Sequence, residues 1–533
     1  MAIIVCPQPL AAEIGLEVMR RGGNAVDAAV TCAFVQGVID PQMCGLGGCG
    51  AMLVHSAQGG DALLEFYATA GSRSREDQWE SLFIREAADR YGYVLEGWVN
   101  DVGYQSVAVP GTVAGLHEAL TRYGSISWQE AIEPAIPLAR DGFAVTGYVH
   151  GFWTMDYGPD VVPNAQRIQS TPAAKAIYTH DGRLYEVGEV MVQSDLARTL
   201  ERLASGGPDV FYRGEIAEAI AADFEANGGF ITREDLAGYA VSVTEPIRGT
   251  YRGMQVVAAG PPAGGLTLLQ MLNFLEGYDL GSHGWPSTEA ARLLVEAMAW
   301  AVADRELHVA DPRFVDVPTG SLTDKKYAAK AREVVAGRAQ DALQPDRADT
   351  TQVCVVDDGG NAVSLTHTLG SSSGVVTPGL GFGYNDYMNC FDPRPGRPNS
   401  VRPGKTRVTM MTPTMVFEGG RLRVCAGAPG GTKIVTGVLQ VLVNVLDHEM
   451  SAVEAVSAPR IDFQGDVVQV EARIPRAVSD GLERLGYRVN RRTLNYDSYF
   501  SRPQVIVAER DGYMSGASDP RKDGGTALDT LTR

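Results

Sequence analysis

Two β-rich runs joined by a short polar turn constrain the fold of this chain more than any other stretch. The first run covers residues 349–357, the second covers residues 362–368, and Gly359-Gly360-Asn361 lies between them. Runs of this kind around an Asp/Gly/Asn turn are typical of a β-hairpin. Strand side chains repeat every second residue, so Thr366 and Thr368 share one face. Thr350 and Thr351 stand where the first strand begins.

Thr350 is a candidate nucleophile, provided that the chain is cut between Asp349 and Thr350. The cut would release an α-amine, with an ordinary pKa of about 7.7–8.0, which can act as the base for the hydroxyl of the same threonine. The alternative is structural, because threonine is β-branched and favours strands. The hairpin alone does not separate these two interpretations.

The composition bears on partners, cofactors and location. The 533 residues include 46 Lys and Arg against 64 Asp and Glu, a net charge of −18, without a prominent basic run. Nucleic acid and anionic membranes are therefore not expected as partners, and no apolar run approaches the ~18–20 residues of a membrane span. The N-terminus lacks an export-signal pattern. Seven cysteines are an odd number, which favours reduced thiols and a cytoplasmic location. Neither a metal site nor a cofactor is expected.

Periodicity and breaker residues predict the remaining elements. Asn24 is a predicted N-cap of a helix. Amphipathic helices are predicted over 127–141, 194–205, 213–227 and 287–309, and an exposed polar segment over 333–349.

Two glycine motifs suggest other chemistry but do not fit it. Residues 45–50 match G-x-G-x-x-G, yet a strand-like run follows them, which argues against dinucleotide binding. Residues 370–374 match G-x-S-x-G, yet Val375–Gly379 cannot start a helix cleanly and His448 is the only downstream histidine. A serine nucleophile elbow is therefore not expected.

A third glycine turn fits acyl transfer. Residues 427–431, Gly-Ala-Pro-Gly-Gly, join a predicted strand to a predicted helix. Such a turn aims free backbone N–H groups at an anion, so Gly430 and Gly431 are candidates for an oxyanion hole. The alternative is a turn that merely needs positive φ angles.

Taken together, these features resemble the γ-glutamyltransferase family of N-terminal-nucleophile hydrolases. The matching segments run in family order along almost the whole chain: 22–29 (GGNAVDAA), the Gly45–Gly50 glycines, 109–115 (VPGTVAG), 139–143 (ARDGF), 231–236 (ITREDL), Thr350-Thr351 with Thr366 and Thr368, 428–431 (APGG) and 516–521 (GASDPR).

The resemblance implies an α+β fold, a four-layer αββα sandwich made as an inactive precursor. Self-cleavage before Thr350 would give a large chain, 1–349, and a small chain, 350–533, which stay intertwined as one unit. Thr350 would be nucleophile and base, Thr368 would orient it, and Gly430 and Gly431 would form the oxyanion hole. A homodimer of such heterodimers is left open.

The residues that bind a γ-glutamyl group in this family are replaced here. Tyr67 stands in place of the arginine that holds the α-carboxylate, and Thr409-Met410 replace a Ser-Ser pair. Gly370, Tyr387 and Cys390 replace the Asn, Gln and Asp that hold the α-ammonium. Leaving a buried charge without its partner costs roughly 3–5 kcal/mol, so a γ-glutamyl group should be rejected. An alignment shift of one or two residues would instead bring Asp386 or Asn389 into the pocket.

We therefore expect an amide or acyl hydrolase whose substrate is not γ-glutamyl. A compact pocket of Tyr67, Thr366, Tyr387 and Met410, with Lys405 or Arg407 as a carboxylate clamp, fits a small acidic amide such as oxamate. Both cations are otherwise explained as solvated surface residues.

Three alternatives remain at this stage. The chain is a γ-glutamyltransferase or glutathione hydrolase proper, a C–C-cleaving or acylase pathway enzyme of the same family, or an uncleaved, non-catalytic relative.

Overall fold

The predicted hairpin lies in the middle of the molecule. The computed structural model describes residues 1–87, 92–156, 158, 161–335, 350–465, 467–509 and 512–529. The hairpin strands, Thr351–Val356 and Ala362–Thr368, pair antiparallel with Gln352 opposite Thr366, which confirms the prediction.

Thirteen strands of the described chain form two antiparallel sheets. In chain order they are β1 (Ile3–Cys6), β2 (Cys49–Ser56), β3 (Gly60–Phe66), β4 (Ser242–Thr244), β5 (Ile247–Tyr251), β6 (Met254–Ala258), β7 (Thr351–Val356), β8 (Ala362–Thr368), β9 (Thr414–Glu418), β10 (Arg421–Gly427), β11 (Gln504–Ala508), β12 (Met514–Ser518) and β13 (Gly525–Leu528). The first sheet has the order β4-β3-β2-β8-β7-β1-β13, and the second has the order β5-β6-β9-β10-β11-β12. Strands from before and after residue 350 contribute to both sheets, and in the first sheet β1 lies between β7 and β13, so neither part of the chain forms a sheet alone.

The two faces of the hairpin pack into two different hydrophobic cores, and these cores define the layers of the fold. Val353 and Leu365 point into a core formed with helices, whereas Cys354 and Ala362 point into a core shared with the second sheet. A third core lies between the second sheet and another set of helices. The order of layers is therefore helix, sheet, sheet, helix, which is the predicted αββα sandwich.

Helices cover both outer faces. Those beside the first sheet are Pro9–Arg20, Ala25–Ile39, Thr112–Tyr123, Trp128–Ile132, Ala135–Arg140, Gly147–Trp153, Asn164–Arg167, Pro172–Tyr178, Ser194–Gly206, Asp209–Tyr212, Glu215–Ala226 and Arg233–Ala237. Those beside the second sheet are Gly265–Leu275, Leu280–His283, Thr288–His308, Thr319–Leu322, Lys325–Val335, Ile434–Leu446, Ala452–Ser457 and Arg476–Arg484. Within the described ranges, no helix combines the length and the apolar character needed to cross a membrane.

Short strand pairs and single-turn helices fill the connections. The short strands are Phe83–Glu86, Tyr93–Leu95, Phe143–Ala144, Thr179–His180, Arg183–Leu184, Val190–Met191, Ile461–Asp462, Val468–Val470 and Val489–Arg491. The 3₁₀ turns are Glu80–Leu82, Glu96–Trp98, Tyr104–Ser106, Tyr387–Cys390 and Gly431–Lys433.

The Ala25–Ile39 helix shows how local sequence sets an element next to the hairpin. The Asn24 side chain accepts hydrogen bonds from the Val26 and Asp27 N–H groups, and Asp27 accepts one from the Asn24 N–H. This capping box satisfies donors that the first helical turn leaves free, and it confirms the predicted N-cap. The helix is buried along nearly its whole length against β7 and β8.

Two predicted elements need correction. The single helix expected over 127–141 is two helices, Trp128–Ile132 and Ala135–Arg140, because Pro134 lacks an N–H and cannot continue a helix. The polar segment expected over 333–349 is wrong at its start, since the Lys325–Val335 helix runs through residues 333–335. Residues 336–349, with Asp349 of the predicted cleavage site, lie outside the described residues.

Candidate active site

Thr350 lies directly before β7, and its side chain is only 4% exposed. Its hydroxyl donates to the Thr368 hydroxyl oxygen with an Oγ1–Oγ1 distance of 3.3 Å. The same Thr368 oxygen accepts a hydrogen bond from the Gly370 N–H at 2.7 Å. A distance of 3.3 Å is long for an O–H···O bond, which is usual for catalytic groups before substrate binds. The hairpin register brings the two threonines together.

Behind Thr350, the same strand face carries a buried polar ladder. The Thr366 hydroxyl donates to Gln352 Oε1 at 2.5 Å, and Gln352 Nε2 donates to Ser364 Oγ at 2.9 Å. Thr366 was predicted in the substrate pocket, but the structure places it one rung deeper, with its hydroxyl directed to Gln352. The ladder fixes the face on which Thr350 stands.

The glycine turn follows the end of β10, where that strand lies against Gln352, two residues from Thr350. Cys425 of β10 lies against Cys354 of β7, and the backbone of Gly427 is so close to Gln352 that a Cβ there would lie 2.3 Å from Nε2. These contacts advance by two residues on each strand. Continued past the end of β10, the same step leads from Gly427 to Pro429 of the turn and from Gln352 to Thr350.

The turn has the conformation and the free donors of an anion site. Gly430 and Gly431 have φ angles of 146° and 56°, so the turn does require positive φ angles. In the part of the chain that the structure describes, no protein group accepts a hydrogen bond from either N–H. The 3₁₀ turn Gly431–Lys433 then leads into the Ile434–Leu446 helix, whose N-terminal end favours negative charge.

Two tyrosines and an arginine lie close together in the core between the two sheets. The Arg407 guanidinium lies 3.9 Å from the centroid of the Tyr387 ring, and Tyr67, Tyr387 and Cys49 belong to one buried core. Tyr239 donates to the Tyr67 carbonyl at 2.8 Å and holds that segment in place. No described group forms a hydrogen bond with the Tyr67 hydroxyl.

Burial keeps these groups neutral. It raises the pKa of the Tyr67 and Tyr387 phenols well above their usual value, with the Arg407 charge offsetting part of the shift at Tyr387. Burial likewise raises the pKa of the Cys49 thiol to about 12. Arg407 is therefore the one charged group of this cluster.

Neither Lys405 nor Arg407 is a solvated surface residue, so that interpretation is wrong for both. Lys405 is 1% exposed, and its ammonium donates to the Pro398 and Ser400 carbonyls at 2.6 and 3.0 Å. Burial lowers the pKa of Lys405 to about 8. Arg407 is 3% exposed and lines the cavity described next. Of the two predicted clamps, only Arg407 faces that space.

A cavity of about 390 Å³ opens beside these residues. Of the residues predicted for the substrate pocket, Cys390, Met410 and Arg407 line it, whereas Tyr67, Gly370, Tyr387 and Thr409 are not among its lining residues. Thr432 places it next to the glycine turn. Thr409 is buried beside Met410.

Sequence reasoning missed the other cations of this cavity, Arg305, Arg394 and Arg397. Arg305 projects from the Thr288–His308 helix and lies 3.2 Å from the Met410 sulfur. Arg394 pairs with both Asp392 and Glu86. Only the periodic pattern of the helix could have drawn attention to Arg305, and that pattern does not distinguish an inward arginine from a surface one.

Asp386 lies against Gly370 and is engaged by groups of the protein itself. It accepts hydrogen bonds from the Ser371 N–H and from Asn389 Nδ2, both at 3.0 Å, and faces Arg167 at 3.7 Å. A Cβ on Gly370 would lie 1.9 Å from Asp386 Oδ1. Cys390 lines the cavity, whereas Asp386 and Asn389 do not.

The Gly370–Gly374 loop is not a nucleophile elbow. Arg167 donates to the Ser372 carbonyl at 2.9 Å, and no helix follows within the described residues before the turn at Tyr387–Cys390. The loop begins beside Thr368, to whose hydroxyl oxygen the Gly370 N–H donates.

A four-layer αββα fold with a threonine at the start of a central strand is the architecture of an N-terminal-nucleophile hydrolase. The family model described as Gamma-glutamyltranspeptidase matches residues 11–528 of this chain. The chain belongs to the gamma-glutamyltranspeptidase family.

Relatives cover nearly the whole chain. It is 38% identical over 530 residues to the Acylase ACY 1 proenzyme of Pseudomonas sp. (strain V22), covering 98% of this chain and 92% of that protein. It is 35% identical over 546 residues to the Glutathione hydrolase proenzyme of Escherichia coli (strain K12), covering 98% and 90%. The crystal structure of cephalosporin acylase from Bacillus halodurans superimposes with a TM-score of 0.88 at 28% identity, covering 99% and 95%. The chain is thus a hydrolase of this family, with acylases and glutathione hydrolases among its relatives.

Proposed function

We propose that this protein is a self-cleaving amide hydrolase that forms an acyl-enzyme on Thr350 and acts on an acidic acyl group without an α-amino substituent. The observation that carries the proposal is the Thr350–Thr368 contact together with a cavity lined by Cys390 and Met410, two positions that the resemblance assigns to γ-glutamyl binding. Together they support a working threonine nucleophile beside an altered acyl pocket.

Maturation would begin with the Thr350 hydroxyl. Its oxygen attacks the carbonyl carbon of residue 349, and the peptide C–N bond breaks as the nitrogen gains a proton, which leaves an ester. Water then cleaves the ester to give a carboxylate on residue 349 and to return the Thr350 hydroxyl, next to the amine that was freed when the C–N bond broke. The products, 1–349 and 350–533, share both sheets and would stay associated. The names of the two proenzyme relatives support this step.

Turnover would use the same hydroxyl, now next to its own amine. The amine takes the hydroxyl proton as the oxygen attacks the substrate amide, and the leaving amine receives that proton. The Gly430 and Gly431 N–H groups would stabilise the oxyanion, and Thr368 would orient the nucleophile. Water then hydrolyses the ester on Thr350.

The cavity supports an acidic acyl group. Four arginines line it against three carboxylates, and two of those carboxylates, Asp392 and Glu86, are paired with Arg394. Arg407, stacked on Tyr387, is the proposed partner of the substrate carboxylate, because a guanidinium binds a carboxylate bidentately. Tyr67 would donate a hydrogen bond without adding charge.

The volume of the cavity favours a second candidate substrate, an amide larger than oxamate. Oxamate fills little of about 390 Å³, whereas a dicarboxylic acid monoamide with a bulky amine would occupy more of it. The similarity to cephalosporin acylase supports this larger amide.

We also propose a cytoplasmic location, because the odd number of cysteines favours reduced thiols.

A matched substrate pair tests the proposal. Glutaryl p-nitroanilide and γ-glutamyl p-nitroanilide differ only in the α-ammonium group, and we expect kcat/KM to favour the glutaryl compound by at least about 100-fold, or ~2.7 kcal/mol. Oxamate tests the small-amide alternative. Comparable rates on both anilides would instead favour a γ-glutamyltransferase.

Thr350→Ala tests the nucleophile. The variant should stay uncut and inactive, and cleavage that persists in it would exclude Thr350. A wild-type chain that stays uncut and inactive would support the non-catalytic alternative.

A further inference from the structure

The carbonyl of Pro429, just before the two glycines of the turn, is held by two donors from a distant segment. Ser501 Oγ donates to Pro429 O at 2.8 Å, and the Arg502 N–H donates to the same oxygen at 3.0 Å. Both donors come from residues immediately before β11. A carbonyl with two donors cannot rotate without losing both bonds.

The Pro429 carbonyl and the Gly430 N–H belong to one peptide unit. The peptide bond is planar, so fixing the direction of the carbonyl fixes the direction of the N–H on its opposite side. Hydrogen bonds at the carbonyl also polarise the unit, which strengthens the N–H as a donor. The Ser501–Arg502 segment therefore controls the aim of one proposed oxyanion donor.

Ser501 is wedged where only small residues fit. A Cβ on Gly430 would lie 2.7 Å from Ser501 Cα, and a Cβ on Gly437 of the following helix would lie 2.6 Å from Ser501 Cβ. Glycine at these two positions allows the serine to reach Pro429. The turn and the helix start are thus packed against one side chain.

A buried ionic network holds Ser501 from behind. Arg460 donates to the Ser501 carbonyl and to Asp519, in both cases at 2.5 Å. Arg521 pairs with Asp519 at 3.0 Å and with Glu471 at 2.6 Å. These four charged side chains are at most 4% exposed. Asp519 and Arg521 belong to the GASDPR segment at 516–521, to which the proposed chemistry assigns no direct role.

We propose that Ser501 is a positioning residue that sets the Gly430 N–H for oxyanion stabilisation, and that the Asp519–Arg521 network serves to hold it. The inference rests on the proposed function, since it takes the Gly430 N–H as an oxyanion donor. It assigns Ser501 no contact with the substrate.

Ser501→Ala tests the proposal, with Ser106→Ala as the matched control. The Ser106 hydroxyl is equally buried and also donates to a backbone carbonyl, that of Gly103 at 2.8 Å, but it lies outside the proposed machinery. Both variants would be assayed after cleavage, on chains whose maturation is quantified by intact mass. The substrate is glutaryl p-nitroanilide, or whichever anilide the wild type cleaves.

We expect kcat of Ser501→Ala to fall by about 10- to 100-fold, less than the roughly 100- to 1,000-fold reported for losing an oxyanion donor outright. KM should stay within about threefold, because ground-state binding does not use the oxyanion hole. Ser501→Cys, which keeps a weaker donor, should fall between wild type and Ser501→Ala, and it serves as the readout if the alanine variant does not fold.

Wild-type kcat in Ser501→Ala, or an equal fall in kcat in Ser106→Ala, would overturn the proposal. So would a Ser501→Cys variant no more active than Ser501→Ala. Failure of the proposed function is distinguishable, because the wild type itself would then be uncut or inactive.

Discussion

Returning a carboxylate to position 390 should partly restore acceptance of an α-ammonium group. Cys390 ends the Tyr387–Cys390 turn, is partly exposed and lines the cavity beside Arg407 and Met410. The resemblance places the family's ammonium-binding Asp at this position. Cys390→Asp therefore changes one of three ammonium contacts, while Gly370 and Tyr387 stay as they are.

The magnitude follows from one new charged contact in a half-open cavity. A hydrogen bond to a charged group contributes about 1.5–3 kcal/mol, which is about 10- to 150-fold in kcat/KM for γ-glutamyl p-nitroanilide. The new carboxylate should also repel the glutaryl carboxylate. At ~6 Å and an effective dielectric constant of ~20, the upper bound on that repulsion is about 3 kcal/mol, and solvent in the cavity lowers it.

The assay is the ratio of kcat/KM for glutaryl to that for γ-glutamyl p-nitroanilide. We expect Cys390→Asp to lower this ratio by at least about tenfold. Cys390→Asn is the matched control, because it has the shape of Asp without the charge, and its ratio should stay within about threefold of wild type. An unchanged ratio in Cys390→Asp, or an equal change in Cys390→Asn, would refute the assignment of this pocket.

Two further predictions concern charge. Arg407→Gln should raise the steady-state KM for glutaryl p-nitroanilide by about 10- to 100-fold, because the variant loses a charged hydrogen bond. The KM of Arg407→Lys should be intermediate. An unchanged KM in both variants would exclude Arg407 as the carboxylate partner. Burial raises the pKa of Glu65 on β3 to about 7, above its unfolded value of about 4.3, so the folded state binds this proton more tightly. That contribution to stability is present below about pH 4.3 and is lost as pH rises through 7. Glu65→Gln should therefore gain about 1–2 kcal/mol relative to wild type between pH 5 and pH 8.5, measured by urea unfolding, and a difference that is independent of pH would contradict the shift.

Local rules predicted the parts of the site that lie within one element or one turn. The period of two along a strand placed Thr366 and Thr368 on one face, and the strand–turn–helix order around Gly430 and Gly431 indicated an anion site. Pro134 was visible in the sequence as a residue that interrupts helices. The helical periodicity on both sides of it nevertheless favoured the wrong prediction of a single helix.

Other parts depend on packing between distant segments. Arg305 faces the cavity because of how the Thr288–His308 helix packs against the Gly265–Leu275 helix, and the sequence shows only an arginine near the end of a long helix. Ser501 reaches Pro429 from 72 residues along the chain. Lys405 is buried because loop carbonyls from Pro398 and Ser400 surround its ammonium, and residue type alone predicts the opposite.

The most direct test of the account is the intact mass of the purified, active wild-type protein together with its N-terminal sequences. The account predicts two chains, 1–349 and 350–533, with a free α-amine on Thr350. A single uncut chain that turns over substrate would contradict it, because Thr350 would then lack the amine that activates it.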